Sequence, residues 1–329
     1  MDCDAVTPGQ QPCDVAYAGS ADGRVYAFNA ATGAQLWQSP VLGSAILGTP
    51  VVQLATFSAS YPHAFDLVIV GTRNTADTTN NAIYGLNGNT GAIVWTFAPG
   101  NLDIISSGGA LDYLTNSVWF ASRAGALGTQ PSLWKLSTST TNPAGSLISS
   151  VILNALPAAN RHIDAAVDFD QQVAYLFAVT TGGDLVAVEH ANPNNVFSTN
   201  VGAFSWMGFP TVLSSPGSND DIYFSTSGGV HKRTFNRLTQ TFAPGWDTTA
   251  ATLGGTPSTP VFAYAPLPPF LYVGVSDGRL KKLDLSTGAI VLTRTVNLSA
   301  TVGDPSLDVI SSKLYVGDTS GRIYSFDIF

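Results

Sequence analysis

Few residue patterns in this chain have the types and spacing that catalysis requires. Residues 274–278 read GVSDG, which matches the Gly-x-Ser-x-Gly spacing around a serine-hydrolase nucleophile. That chemistry depends on a strand–turn–helix elbow, whereas the equivalent residues 317–321, GDTSG, indicate the tip of a repeated hairpin. The histidines lack the paired spacing of zinc ligands: His63, His162, His190 and His231. The local motifs therefore favour a protein without a catalytic site.

A second group of residues has the chemistry of a binding surface. Exposed tryptophan and methionine together suit contact with a protein or a sugar. We expect the binding residues in the loops that lead into the innermost strands of the repeats: Asp103, Arg161, His162, Asp164, Trp206, Met207, Trp246, Asp247 and Asp304. The alternative that Trp206 and Trp246 only pack beneath their own loops stays open.

The elements that must position these residues are short strands in an internal repeat. Each copy contains an apolar run with an aromatic residue, a turn, and a second apolar run with the alternation of a strand. The seven copies start between Tyr17 and Tyr315, with a mean spacing of about 50 residues, near the length of a four-stranded propeller blade. The paired runs are 17–19 with 25–28, 69–71 with 83–86, 119–121 with 133–136, 175–177 with 185–188, 223–225 with 230–233, 272–274 with 280–283, and 315–317 with 323–326.

Two further strands complete each copy. Segments 48–52 and 208–212 contain a proline at the first position of an innermost strand, where its missing N–H costs little. Segments 32–37 and 90–95 contain a Thr-Gly turn followed by an outer strand. The sequence thus predicts an all-β, seven-bladed propeller with four-stranded antiparallel blades over residues 15–329. Copy one lacks an innermost strand and copy seven an outer strand, which predicts incomplete closure between the first and last blades.

The outer-strand motif resembles that of a known family. Residues 27–37 and 85–95 follow the spacing A-x-D-x-x-T-G-x-x-x-W of PQQ-like, or quinoprotein-type, propeller repeats, with Asn in place of Asp in both copies and Gly in place of Ala in the second. The resemblance implies blades interlocked by Trp37 and Trp95. Quinone enzymes of this family normally have eight blades and often adjacent cysteines, which this chain does not match. The resemblance therefore implies the fold and disfavours the redox activity, because many such propellers bind no quinone and serve as protein-binding platforms.

In a propeller, ligands usually lie in the funnel formed by the loops that lead into the innermost strands. By register, Asp164 and Asp304 occupy equivalent positions in two of these loops. Two convergent carboxylates could hold a hard cation such as calcium. The favoured interpretation is that each aspartate caps its own turn.

Composition excludes some classes of partner. The chain has 329 residues, a formal net charge of −8 and only 11% charged residues. A phosphate backbone would be repelled, so nucleic acid is not an expected partner. No apolar run approaches the roughly 18 residues of a membrane-spanning helix. Gly, Ser, Thr and Asn fill the polar positions in place of charged residues, a composition common in extracellular bacterial repeat proteins.

The two cysteines lie in a segment that precedes the repeats. Cys3 and Cys13 belong to a short Pro- and Gly-containing segment, residues 1–14, without the apolar core of a signal peptide. A disulfide closing this small loop is the favoured interpretation, with free thiols as the alternative. The disulfide would indicate an oxidising compartment. We expect the chain to be a mature domain cut from a longer secreted protein.

These observations predict a non-catalytic binding or scaffold module that is extracellular, on the cell surface or in the periplasm. Its expected partner is another protein or a flanking domain of the same polypeptide, with carbohydrate or self-association through an open blade edge as alternatives. A second hypothesis is a PQQ- or calcium-dependent oxidoreductase or a sugar-active enzyme. A third is a structural unit of a larger surface protein or fibre. No cofactor is expected; calcium is the second choice and PQQ is disfavoured.

Overall fold

The computed structural model describes residues 15–30, 32–55, 64–139, 144–170, 172–202, 204, 208–214, 217–263, 269–308 and 312–328. The predicted disulfide between Cys3 and Cys13 lies outside this part of the chain, as do Trp206 and Met207. The described residues contain one short α-helix, Ala250–Leu253, and two 3-10 turns, Thr78–Asn80 and Ala158–Asn160. None of their helices is long and apolar enough to cross a membrane.

The β-strands form seven antiparallel sheets in chain order, which are the blades of an all-β, seven-bladed propeller. Residue contacts divide the chain into two compact units, Met1–Val167 with Asn192–Val196, and Asp168–Ala191 with Phe197–Phe329. Blades one to three belong to the first unit. Blades four to seven belong to the second, apart from Val196 in blade four.

The first unit contains three blades. Blade one consists of β1 (Val15–Gly19), β2 (Val25–Asn29) and β3 (Gln35–Gln38). Blade two consists of β4 (Val51–Gln53), β5 (Leu67–Gly71), β6 (Ile83–Asn87) and β7 (Ile93–Phe97). Blade three consists of β8 (Ala110–Asp112), β9 (Ser117–Ala121), β10 (Leu133–Ser137) and β11 (Leu147–Val151).

The second unit contains four blades. Blade four consists of β12 (Asp168–Phe169), β13 (Tyr175–Val179), β14 (Asp184–Glu189) and β15 (Val196–Asn200). Blade five consists of β16 (Thr211–Ser214), β17 (Asn219–Thr226), β18 (Gly229–Asn236) and β19 (Thr241–Thr249). Blade six consists of β20 (Val261–Ala263), β21 (Phe270–Val275), β22 (Arg279–Asp284) and β23 (Ile290–Thr295). Blade seven consists of β24 (Ser306–Asp308), β25 (Lys313–Gly317) and β26 (Ile323–Asp327).

The first and last blades each have three strands among the described residues. Among these residues, β1 is the first strand of blade one and the counterpart of the second strand in complete blades, and β26 is the last strand of blade seven. Residues 1–14, where the sequence predicts no innermost strand, lie outside the described part of the chain. The third strand of blade seven is also more exposed than its counterparts, with Ile323 80% exposed and the equivalent Val25 and Ile83 fully buried.

The hydrophobic core lies between the faces of consecutive blades. In the first unit, Val25 and Ala27 of blade one share a cluster with Val68 and Leu86 of blade two. A second cluster joins blades two and three. In the second unit, separate clusters join blades four and five, five and six, and six and seven. Each blade is too thin to bury its own apolar faces, so the stacking of neighbours stabilises it at about 25 cal/mol per Å² of buried apolar surface.

Tryptophans on the outer strands reach from one blade to the next. In the first unit, the Trp37 indole donates to the Gly88 carbonyl of blade two at 2.8 Å, and its ring covers Gly91. The ring of Trp95 covers Gly145 of blade three in the same way. A side chain at either glycine would collide with the ring, because an added Cβ would lie 2.5–2.6 Å from it.

Candidate functional site

The turn between the second and third strands of a blade contacts the connection that leads into the innermost strand of the same blade. In the first unit, the Arg73 amide donates to the Ala45 carbonyl at 2.8 Å, and the Arg123 amide donates to the Ile104 carbonyl at 3.1 Å. These bonds fix the loops relative to the strands. We call this end of the first unit its funnel face, which comprises the turns 20–24, 72–82 and 122–132 and the connections 39–50, 98–109 and 152–167.

A row of polar side chains crosses the funnel face. Nε and Nη2 of Arg123 donate to the two carboxylate oxygens of Asp164 at 2.9 and 2.8 Å, the bidentate form of a strong ion pair. Hydrogen bonding to Asp164 raises the pKa of Arg123. The Ser106 hydroxyl donates to Asp164 at 3.5 Å and accepts from Nε of Arg73 at 3.4 Å. We call these four residues the polar row.

Arg161 and His162 were predicted to bind a ligand, and the structure places both on the funnel face with bonds to the main chain. Arg161 donates to the carbonyls of Leu156 at 2.9 Å and Gly128 at 2.8 Å. Nδ1 of His162 accepts the Ala124 amide at 3.0 Å. Both side chains therefore fasten the connection between blades three and four to the adjacent turn.

Asp103 lies in the connection before blade three and has a left-handed backbone, with φ of 55°. Its carboxylate accepts the amide of Ile104 at 2.6 Å. A non-glycine residue in this conformation is strained and marks a loop held by its surroundings. Its negative charge also contributes to raising the pKa of Arg123, after the effect of Asp164.

The predicted calcium ligands, Asp164 and Asp304, already have protein partners. Both oxygens of Asp164 bind Arg123, whose positive charge opposes a cation. Asp304, in the second unit, accepts the Thr259 amide at 2.7 Å, and burial raises its pKa. The described residues contain no group of three or more His, Cys, Asp or Glu side chains that could hold a metal ion. These donor sets do not fit calcium.

A hydroxyl–imidazole–carboxylate chain lies within blade five of the second unit. Thr226 Oγ1 and His231 Nε2 are 2.8 Å apart, and His231 Nδ1 is 2.7 Å from an Asp247 oxygen. Arg233 donates to the same oxygen at 2.8 Å. The Phe224 ring stacks on the imidazole at 5.2 Å between centroids. The network assigns the imidazole proton to Nδ1, and burial lowers the pKa of His231.

This chain has the residue types of a nucleophilic triad in a position where a triad could not act. Thr226 is fully buried, and its Oγ1 also accepts the Gly228 amide at 3.0 Å. A nucleophile must reach the reacting atom of a substrate. The arrangement therefore joins the hairpin of β17 and β18 to β19 and has no accessible reacting group.

Two sequence-based placements need correction. Trp246 and Asp247 were expected in a loop that leads into an innermost strand, and both lie inside the outer strand β19. The Trp246 indole donates to the Leu285 carbonyl of blade six at 2.9 Å, and its ring covers Gly288. It therefore makes the contact that Trp37 makes in the first unit, because a tryptophan on an outer strand faces the following blade.

The Gly-x-Ser-x-Gly motif lies in a hairpin, as the repeat predicts. Ser276 occupies the turn between β21 and β22, and its hydroxyl oxygen accepts the Thr256 amide at 2.9 Å. The turn leads into a strand and not into a helix, so it lacks the elbow geometry of a hydrolase nucleophile.

Sequence reasoning missed Arg73, Arg123 and Ser106 of the polar row. The two arginines do share a repeat position, since each is the second residue after the second strand of its blade. They are separated by one repeat period. An alignment of the copies could therefore have identified them, although the hydrogen bonds that link Arg73 through Ser106 and Asp164 to Arg123 depend on how the loops fold.

Three comparisons relate the chain to known proteins. A PQQ-repeat family model, described as outer membrane protein assembly factor BamB, matches residues 8–234 and confirms the predicted PQQ-like repeats. The crystal structure of BamB from Moraxella catarrhalis is 21% identical with a TM-score of 0.65, covering 97% of this chain and 80% of that one. The designed protein Ika8 is 13% identical with a TM-score of 0.63, covering 97% and 82%. No curated protein sequence matches the chain.

Proposed function

The chain belongs to the PQQ-repeat family described as outer membrane protein assembly factor BamB, and on that premise we propose that it is a non-catalytic protein-binding scaffold of the bacterial cell envelope. The family match over residues 8–234 is the observation that carries this proposal. The family description names a role in assembling outer membrane proteins, so a protein of that assembly process is the expected partner. The periplasm is the location that suits this role.

The funnel face of the first unit supports the proposal. It offers fixed charged and polar groups in loops whose main chain is tied to the blades. Rigid strands that carry recognition residues on loops are the usual organisation of a binding module. The buried Thr226 supports the non-catalytic part, because a hydroxyl without access cannot attack a substrate.

Photo-crosslinking in the native cell envelope tests the proposal. A photoreactive residue in place of Leu47, 53% exposed on the funnel face, should capture an outer membrane assembly protein that mass spectrometry identifies. The control replaces Leu114, 79% exposed in the turn between β8 and β9 of the same unit, and should capture less of it. Equal capture at both positions would argue against the funnel face. Dye-linked oxidation of alcohols or sugars after addition of PQQ and calcium would contradict a non-catalytic role.

A further inference from the structure

We propose that the polar row is a carboxylate-binding site, at which Arg73 takes an aspartate or glutamate side chain of a protein partner. The inference rests on the proposed protein-binding function and names the chemistry of the group that this face recognises. All residues of the proposed site belong to the first unit.

Arg73 has unused hydrogen-bonding capacity. Its side chain makes one hydrogen bond to the described residues, from Nε to the Ser106 hydroxyl at 3.4 Å, which leaves both terminal nitrogens free of protein partners there. The chain has 14 Lys and Arg against 22 Asp and Glu. In such an acidic chain, a guanidinium without a carboxylate partner is a surplus positive charge at a defined place.

The position of Arg73 is fixed before any ligand arrives. Its amide donates to the Ala45 carbonyl at 2.8 Å, and its carbonyl accepts the Ser44 hydroxyl at 3.0 Å. The side chain is half-buried. Less conformational entropy is therefore lost on binding than for a free surface arginine, which favours a specific contact.

The neighbouring hydroxyls can rearrange around an incoming anion. The two hydrogen bonds of Ser106, at 3.4 and 3.5 Å, are long, so a shorter charge-assisted bond to a carboxylate could replace one of them. The adjacent Ser107 hydroxyl is buried and has no hydrogen-bond partner among the described residues. Its main chain contacts Gly48, where an added Cβ would lie 2.3 Å from the Ser107 carbonyl oxygen. The loop therefore cannot move aside easily.

The Arg123–Asp164 pair shows which ligand geometry the site accepts. Arg123 binds a carboxylate through two parallel bonds at 2.9 and 2.8 Å, and Asp164 is 31% exposed beside it. The planar guanidinium fork matches a planar carboxylate through two parallel hydrogen bonds. Because Asp164 neutralises Arg123, the positive charge available to a ligand is that of Arg73. A single carboxylate would therefore neutralise the polar row.

Titration calorimetry at low ionic strength tests the proposal on the full chain. The probe is a capped tetraglutamate peptide and its control is capped tetraglutamine. We expect tetraglutamate to bind with an affinity that falls with added salt, and tetraglutamine not to bind. Arg73→Gln should lower the affinity for tetraglutamate at least tenfold. Arg73→Lys should retain only part of the wild-type affinity, because lysine keeps the positive charge but lacks the two parallel donors of the guanidinium. Arg322→Gln, at an exposed arginine of the second unit, should leave the affinity unchanged.

Three outcomes would overturn the inference. The first is that the wild type and Arg73→Gln bind tetraglutamate equally well. The second is that tetraglutamine binds as well as tetraglutamate. The third is that inorganic phosphate displaces tetraglutamate at a concentration similar to that of the peptide, which would indicate a general anion site. The crosslinking at Leu47 distinguishes these failures from failure of the proposed function. Undiminished capture of the partner by the Arg73→Gln variant would keep the scaffold role and reject the carboxylate site.

Discussion

The hydroxyl of Thr226 satisfies two polar groups in the interior of blade five. It accepts the Gly228 amide at 3.0 Å and lies 2.8 Å from His231 Nε2. Valine has nearly the same shape without the hydroxyl, so Thr226→Val would leave the buried imidazole and the half-buried Gly228 amide without this partner. Each unpaired group costs about 1–3 kcal/mol, and we expect the free energy of unfolding in urea to fall by about 2 kcal/mol or more.

A matched substitution separates this effect from a general effect of valine. Thr295 is an exposed residue of β23, and Thr295→Val should change the free energy of unfolding by less than about 0.5 kcal/mol. Equal losses in the two variants would show that the Thr226 hydroxyl does not have the role assigned to it.

At the scale of elements, the outer hairpins of blades one, two, three and six each contain a glycine with a left-handed backbone. Gly33 and Gly91 have φ of 71° and 72°. An added Cβ at Gly33 would meet nothing within 4 Å, whereas at Gly91 it would lie 2.5 Å from the Trp37 ring. The pair therefore separates the backbone cost of alanine from the cost of displacing the tryptophan of the preceding blade.

We expect Gly33→Ala to lower the free energy of unfolding by about 1 kcal/mol, the cost of a side chain in the left-handed region. Gly91→Ala should cost at least about 1 kcal/mol more and should weaken the near-ultraviolet circular dichroism of the indole. Thermal unfolding of the two variants under one buffer condition measures the difference. If both lose the same stability, the ring of Trp37 does not depend on this glycine.

The same hairpin explains why the position of Trp246 was predicted wrongly from the sequence. In blade five, Asn236 accepts the Thr239 amide at 2.9 Å, as Asn29 accepts the Thr32 amide in blade one. Gln240 replaces the glycine and still has φ of 56°. The tryptophan follows this position by six residues instead of four, because β19 is longer than β3. The turn is therefore conserved in geometry while its sequence pattern is lost, which is why Trp246 was assigned to a loop.

At the scale of the whole molecule, the repeat predicted the seven sheets because each pair of central strands is local in sequence. All seven pairs of apolar runs lie in adjacent antiparallel strands. The polar row could not be predicted in the same way. Its contacts join residues that are 33, 41 and 58 positions apart, and they depend on how loops of consecutive blades pack.

Burial of acidic side chains links the stability of the whole chain to pH. Burial raises the pKa of Asp168 and of Asp220 to about 6, from an ordinary value of 3.8. It also raises the pKa of Asp170 and Asp304. A carboxyl whose pKa is higher in the folded state binds its proton more tightly there. Its contribution to stability is complete below about pH 3.8 and is lost as the pH rises through about 6.

His231 acts in the opposite direction. Burial lowers the pKa of its imidazole from 6.5, so the folded state favours the neutral ring and loses stability as the pH falls below 6.5. In this range Asp168 and Asp220, whose pKa values are about 6, oppose this one histidine. We therefore expect the melting temperature to be higher at pH 5 than at pH 7.5, measured by scanning calorimetry at constant ionic strength.

One substitution tests the origin of this pH dependence. Asp168→Asn removes a titrating group whose oxygen accepts the Val212 amide at 3.1 Å, and should reduce the difference between the melting temperatures at pH 5 and pH 7.5. Asp284→Asn is the control, because hydrogen bonds from Ser286 and Thr287 lower the pKa of Asp284, which therefore stays charged throughout this range. The difference should be unchanged in that variant. A melting temperature that rises from pH 5 to pH 7.5 would mean that buried His231 outweighs the aspartates, and an unaltered difference in Asp168→Asn would remove this carboxyl as a source.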